Sequence, residues 1–195
     1  MNDDSMKVEV VESNDTVFRF VLKEASNAYA NALRRMAISR VKCFAIDKVT
    51  FYENTSAIFD EYIAHRIGLV PIVTPASGYS DTDEILFTLD ATGPKTVYSR
   101  ELESSDKEVK VKNGNIPIIK LAQDQRLRIE AKAILGEGMK HAKFQPGIVT
   151  YEQSENAFNF YVETFGQMPP KQIITKALEA LRSELKELEK ETKKL

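Results

Sequence analysis

Glu61 and His65 stand four residues apart, a spacing that on a helix sets a carboxylate beside an imidazole. Such a pair can move protons or share a metal ion. The chain holds one further histidine, His141, and a single cysteine, Cys43, in 195 residues. A small acid–base enzyme using Glu61, His65 and His141 is therefore one reading, and a surface or interface hydrogen bond between Glu61 and His65 is the plainer one. The second histidine of an HExxH zinc motif is missing. Asp81, Asp83 and Glu84 open like a calcium loop, but no glycine falls at the sixth place and Thr92 stands at the twelfth where glutamate is needed. Gly136-Glu137-Gly138 is too sparse to cradle a phosphate. Cys43 lies in a β-like run beside Phe44 and Ala45, which suits a buried small hydrophobe. No catalytic residue, metal site or cofactor is expected from these groups.

Composition agrees with a binding role. Hydrophobic residues make up 43% and charged residues 29% of the chain, enough apolar matter for a core and too much for disorder. The formal net charge is −2, and the cations alternate with acids, as in Lys107, Glu108 and Lys110. Direct nucleic-acid binding, which asks for a concentrated basic face, is not expected. No apolar run nears the roughly 20 residues of a membrane helix. Met1–Met6 is polar and acidic, unlike a signal peptide, and one cysteine cannot form an internal disulfide, so a cytoplasmic location is expected.

Several elements can be read from periodicity. Lys7–Val11 and Thr16–Leu22 flank the turn formers Ser13, Asn14 and Asp15, which predicts a hairpin. Ser26 or Asn27 caps a helix reaching about Val41. Cys43–Tyr52 is β-like, and Phe59, Ile63 and Ile67 mark a short helix that stops at Gly68. Residues 85–135 are β-rich: Asn113-Gly114 predicts a hairpin between Val109–Val111 and Ile116–Ile119, and Leu127, Ile129, Ala131, Ala133 and Leu135 alternate with charged residues. Ile148–Tyr151 and Phe158–Thr164 are two further strands.

The carboxy-terminal segment is a helix rich in Glu, Lys, Leu and Ala after Pro169-Pro170. Its apolar residues Ile174, Leu178, Leu181, Leu185, Leu188 and Leu195 follow a 4-3 spacing, with Thr192 completing the register. That narrow seam is what one helix offers to another. The alternative is a long amphipathic helix docked on its own sheet, and the first turns can do this while the last reach a partner.

Three segments carry a resemblance. NAYANALRRMAISRV (Asn27–Val41) resembles the arginine-ended helix of the RNA polymerase α-subunit family. NTSAIFDEYIAHRIGLVPI (Asn54–Ile72) is similar to that family's Asn-x-Ser, Asp-Glu and AHRxGLxP pattern. GEGMKHAKFQPG (Gly136–Gly147) is similar to the Gly-x-Gly…HAKWxP segment of its archaeal and eukaryotic branch, with Phe144 at the usual tryptophan. The nearest likeness is to the archaeal D-type subunits, and it covers nearly the whole chain.

The resemblance implies an α+β fold of two domains: a discontinuous dimerisation domain at 1–46 and 153–195, and a β-rich insert at 47–152. It implies a non-catalytic assembly subunit that heterodimerises with the small α-like subunit L through the seam. The pair would be the platform for the large B subunit and the small subunits N and P. Asn31, Arg34 and Arg35 become candidates for assembly contacts, alongside the plainer reading of the arginines as solvated helix-end cations. His65, Arg66, Gly68, Leu69 and Pro71 would present an ordered loop to B, N or P, with His141 and Lys143 as further interface candidates. Some D-type relatives insert a ferredoxin-like domain before the last strand. Here Tyr151–Asn156 joins the segments directly, and one cysteine is far short of the roughly four thiolates an iron–sulfur cluster needs. A homodimeric scaffold shares the seam and differs only in its partner.

Overall fold

A computed structural model describes residues 6–155 and 157–194. Leu195, the last member of the seam, Asn156 in the short connection, and Met1–Ser5 lie outside the described residues. In chain order the elements are β1 (Lys7–Ser13), β2 (Val17–Lys23), α1 (Asn27–Ser39), β3 (Lys42–Asn54), α2 (Asp60–Gly68), β4 (Glu84–Thr92), β5 (Lys95–Tyr98), β6 (Glu103–Ser104), β7 (Pro117–Leu121), β8 (Arg126–Glu137), β9 (Gly147–Ser154), β10 (Ala157–Thr164) and α3 (Pro170–Thr192). Single 3-10 turns sit at Ser99–Glu101 and Ala142–Phe144. The fold is mixed α+β, and contacts divide it into two compact units.

The first unit takes the chain up to Val41, the short stretch Glu137–Met139, and everything from Gln145 onward. Its antiparallel sheet has the order β1-β2-β10-β9. Alternation along β2 and β10 turns Phe18, Phe20, Leu22, Phe158, Phe160 and Val162 to one buried face. Phe20 opposes Phe160 in register, with the rings stacked 4.8 Å apart. On that face α1 buries Ala30, Leu33 and Ala37, and α3 buries Pro170, Ile173, Ile174 and Ala177. Alanines at the contact let the helices approach closely. The Ser26 hydroxyl accepts from the Tyr29 amide at 3.2 Å and so fixes where α1 begins.

The second unit runs from Lys42 to Gly136 and takes in Lys140–Phe144. It has a sheet of order β3-β8-β4-β6 and a two-stranded ribbon of β5 and β7. The Leu127–Ala133 alternation lies on β8 and meets that of β4, with Phe87 opposite Ala131 and Leu89 opposite Ile129. Ile63 and Ile67 of α2 enter the same core, with no exposed surface.

One expectation about a turn is corrected here. Val109–Val111 and Ile116–Ile119 do not form a hairpin: β7 pairs with β5, and Val111 makes only an isolated bridge to Ile72. Asn113-Gly114 still turns the chain, but its carbonyls are taken by the 3-10 turn, Asn113 accepting from the Ser99 hydroxyl and Gly114 from the Arg100 amide. Gly68 is the last residue of α2, where the sequence places the stop, and Leu69 caps the helix in a right-handed conformation (φ −89°).

Candidate assembly surfaces

The seam along α3 is not uniform. Ile174 is only 8% exposed and is buried in its own unit, as are Ile173 and Ala177, which the 4-3 spacing left out. The first turns must cover a flat sheet, and that takes a stripe wider than a coiled-coil seam. Leu181 is half-buried. Beyond it Leu185 and Leu188 are 58% and 61% exposed, and Leu178 is 39% exposed on the same side. Of the seam residues, then, Ile174 belongs to the chain's own core, while Leu178, Leu185 and Leu188 are left open.

A second apolar strip in this unit was not legible in the sequence. Val8 stands opposite Leu22 and Val10 opposite Phe20, and residues directly opposed in an antiparallel pair share a face. Leu22 and Phe20 are buried, yet Val8 and Val10 are each 59% exposed. The inward face of the sheet therefore continues onto β1, where no described residue covers the two valines. The irregularity between Val10 and Glu12 also leaves Val11 outside the ladder and exposed.

On α1 the Arg34 guanidinium donates to the Asn31 side-chain oxygen at 2.9 Å, so these two candidates form one half-buried pair, while Arg35 is exposed. Sequence reasoning missed Arg40. Its guanidinium reaches Glu137 at 3.1 Å and Glu184 of α3 at 2.9 Å, tying the end of α1 to the middle of α3.

In the second unit, His65 and Leu69 are exposed, Gly68 is buried and Pro71 is half-buried. The Arg66 guanidinium donates to the carbonyls of Pro117 and Ile118. Its planar fork thus secures β7 to α2. Pro71 accepts from the Lys112 amide at 3.0 Å, which orders the segment after α2. Phe59 and Tyr62, also missed as candidates, are 72% and 67% exposed, Phe59 as the extended N-cap of α2 and Tyr62 within its first turn.

His141 accepts from the Lys143 amide through Nδ1 at 3.1 Å. The Lys143 ammonium lies over the Phe144 ring and binds Asp47 of β3 at 2.7 Å, with its side chain only 14% exposed. The hydrogen bond from Lys143 holds the Asp47 carboxyl below its ordinary range. A group with a depressed native pKa stabilises above its unfolded pKa, and that contribution disappears as pH falls through the native value. Asp47→Asn is therefore expected to lower stability at pH 7, and the deficit should close in acid denaturation as pH falls below about 4. An equal deficit at both ends of the titration would refute the assignment.

Among the described residues, no hydrogen bond or ion pair joins Glu61, His65 and His141, and no group of three His, Cys, Asp or Glu side chains is placed to hold a metal. Asp81 binds Lys42 at 2.6 Å, and Asp83 accepts from the Ser80 amide at 2.7 Å. Among the described residues, no helix is long and apolar enough to cross a membrane.

Comparison with known proteins gives the family. The model of the RNA polymerase Rpb3/RpoA insert domain matches residues 49–150. DNA-directed RNA polymerase subunit Rpo3 of Pyrococcus furiosus is 46% identical over 153 residues, covering 75% of this chain and 59% of that protein. Rpo3 of Methanocaldococcus jannaschii is 46% identical over 167 residues, 85% of either chain. Rpo3 of Natronomonas pharaonis is 32% identical, with 94% of this chain and 96% of that protein covered. The chain belongs to the Rpb3/RpoA family of RNA polymerase subunits, in its archaeal Rpo3 branch. It spans about 59% of the length of the Pyrococcus relative.

Proposed function

We propose that this chain is a non-catalytic assembly subunit of a cytoplasmic archaeal DNA-directed RNA polymerase. It heterodimerises with the small α-like subunit L, and the pair forms the platform for the large B subunit and the small subunits N and P. Nucleotidyl transfer then belongs to the complex, with no catalytic residue, cofactor or iron–sulfur cluster supplied by these 195 residues. The observation that carries the reading is the unfinished core of the first unit. A sheet whose inward valines at β1 are uncovered, beside a helix with Leu185 and Leu188 in solvent, holds apolar surface that a partner would bury at about 25 cal/mol per Å², before association costs.

The test is co-expression with the L-like subunit followed by sizing and metal analysis. A stable 1:1 species with background iron is expected, with the chain alone poorly behaved. A well-behaved solitary monomer that ignores the L-like subunit would refute the pairing, and a symmetric dimer of the chain alone would favour the homodimeric scaffold.

A further inference from the structure

The carboxy-terminal helix is packed firmly only at its start. Pro170, Ile173, Ile174 and Ala177 are its buried residues, and every residue from Leu185 to Lys194 is exposed. At about 1.5 Å per residue, Leu188 stands roughly 16 Å along the axis from Ala177. A helix held by its first turns alone is a lever. A tilt of roughly 10° about Ala177 would carry Leu188 sideways by about 3 Å, enough to take a leucine out of its hole in a facing helix.

The buried stripe nevertheless has a continuation. Steps of four and then three from Ala177 reach Leu181 and Glu184, so Glu184 lies on the packed side of the helix. Both are half-buried, and Glu184 is the last residue of α3 that is not exposed. A carboxylate thus stands where the stripe calls for an apolar residue, and Arg40 meets it. Nε of Arg40 lies 2.9 Å from Glu184, while Nη1 lies 3.1 Å from Glu137. The planar fork sets a fixed angle between its two carboxylates, which a rotatable ammonium does not impose.

The base of this clasp is anchored through backbone. Arg40 closes α1, its own amide donating to the Met36 carbonyl at 2.9 Å. The stretch that begins at Glu137 runs against the same helix end. There the Met139 amide donates to the Ser39 carbonyl at 3.0 Å, and Gly138 has no room for a Cβ beside the Ile38 carbonyl. Arg40 and Glu137 are therefore held together independently of α3. Ion pairs whose side chains are between 29% and 41% exposed add little to stability. Aiming the far turns of α3 is the work this geometry suits.

We propose that Arg40 is a positioning residue for subunit pairing. Clasped between Glu137 and Glu184, it holds α3 at the angle at which Leu185 and Leu188 meet the L-like subunit, and makes no contact with that subunit itself. The proposal rests on the pairing reading. A residue that only raises the fraction of chains in the competent geometry changes association, whereas an interface contact changes chiefly dissociation.

The test follows association and dissociation of the full chain and the L-like subunit by stopped-flow fluorescence. Arg40→Ala is expected to slow association about fivefold, with dissociation and the thermal midpoint unchanged. Glu184→Gln should do the same from the other side of the clasp. Arg40→Glu should slow association further, and adding Glu184→Arg to that variant should restore most of the rate. Spin labels at Asn159→Cys and Lys190→Cys, both exposed positions, read the helix angle in the chain alone, since the buried Cys43 escapes labelling. Their distance distribution should broaden in Arg40→Ala. Unchanged widths would overturn the clasp, and so would faster dissociation with association intact. A chain that never associates with the L-like subunit in any form would instead remove the pairing reading, and the spin-label widths, which need no partner, would still judge the clasp.

Discussion

Leu185→Glu combined with Leu188→Glu is expected to weaken pairing with the L-like subunit at least about 100-fold while leaving the chain's own thermal midpoint unchanged. Each leucine side chain is worth about 1.5–3 kcal/mol when moved from water into an interface, and about 1.4 kcal/mol corresponds to a factor of ten in affinity. Two such losses, together with carboxylates forced into an apolar seam, exceed two decades. The unchanged midpoint follows from exposure: both residues are more than half in solvent in the isolated chain. Ile174→Glu is the contrasting variant, because it puts a charge into the chain's own core and unfolds the first unit. Leu181 is less suitable for this test, since its half-buried position mixes the two effects. Sizing of the mixed proteins and circular dichroism of the variant alone decide the matter. A double variant that pairs as tightly as the parent would remove α3 from the interface.

Gly138→Ala is expected to destabilise the first unit by about 3 kcal/mol, and Gly147→Ala by a similar amount. A Cβ on Gly138 would stand 2.1 Å from the Ile38 carbonyl oxygen, and one on Gly147 would stand 2.1 Å from that of Glu163. Both obstacles are backbone, so no rotamer change relieves them. At Gly147 the strand would have to part from β10, with which it shares a ladder. Gly136 belongs to the second unit and has a different reason for lacking a side chain: a Cβ there would meet the Phe144 ring at 2.6 Å. The Gly-x-Gly spacing is thus set by two separate close approaches and needs no ligand to explain it. Denaturant midpoints measure the loss, and a variant within about 1 kcal/mol of the parent would refute the steric account.

The sequence showed elements whose signals are local. The Ser26 cap, the alternation on β8 and the helix formers after Pro170 each arise from residues within a few turns or pleats of one another. Where reading failed, a distant segment decided the outcome. Asn113-Gly114 has hairpin chemistry, but Val97 of β5 claims Ile119 as its partner and Ser99 captures the Asn113 carbonyl. The spacing of leucines in α3 matched a coiled-coil seam, and only the position of the sheet shows that Ile173 joins Ile174 in the core. Val8 and Val10 looked like ordinary strand residues; their exposure on an inward face follows from the register with β2, which no local pattern contains. Tyr62 was within reach: once Ile63 and Ile67 are assigned to the buried side of α2, the neighbouring position 62 falls toward solvent. Phe59 was not, because its spacing of four from Ile63 puts it on the buried stripe, and it is exposed only because it is the N-cap, with extended backbone ahead of the first helical turn.

The pairing of β2 with β10 also bears on how the protein is made. Phe18, Phe20 and Leu22 leave the ribosome early, while Phe158, Phe160 and Val162, which flank them in the sheet, emerge only near the end of synthesis. Throughout that interval the nascent β1–β2 hairpin carries an uncovered phenylalanine surface, the kind of surface that draws chaperones or aggregates. The residues from Lys42 to Gly136 meet no such delay, because their strands find partners within that stretch, and they can mature during translation before the amino-terminal sheet closes.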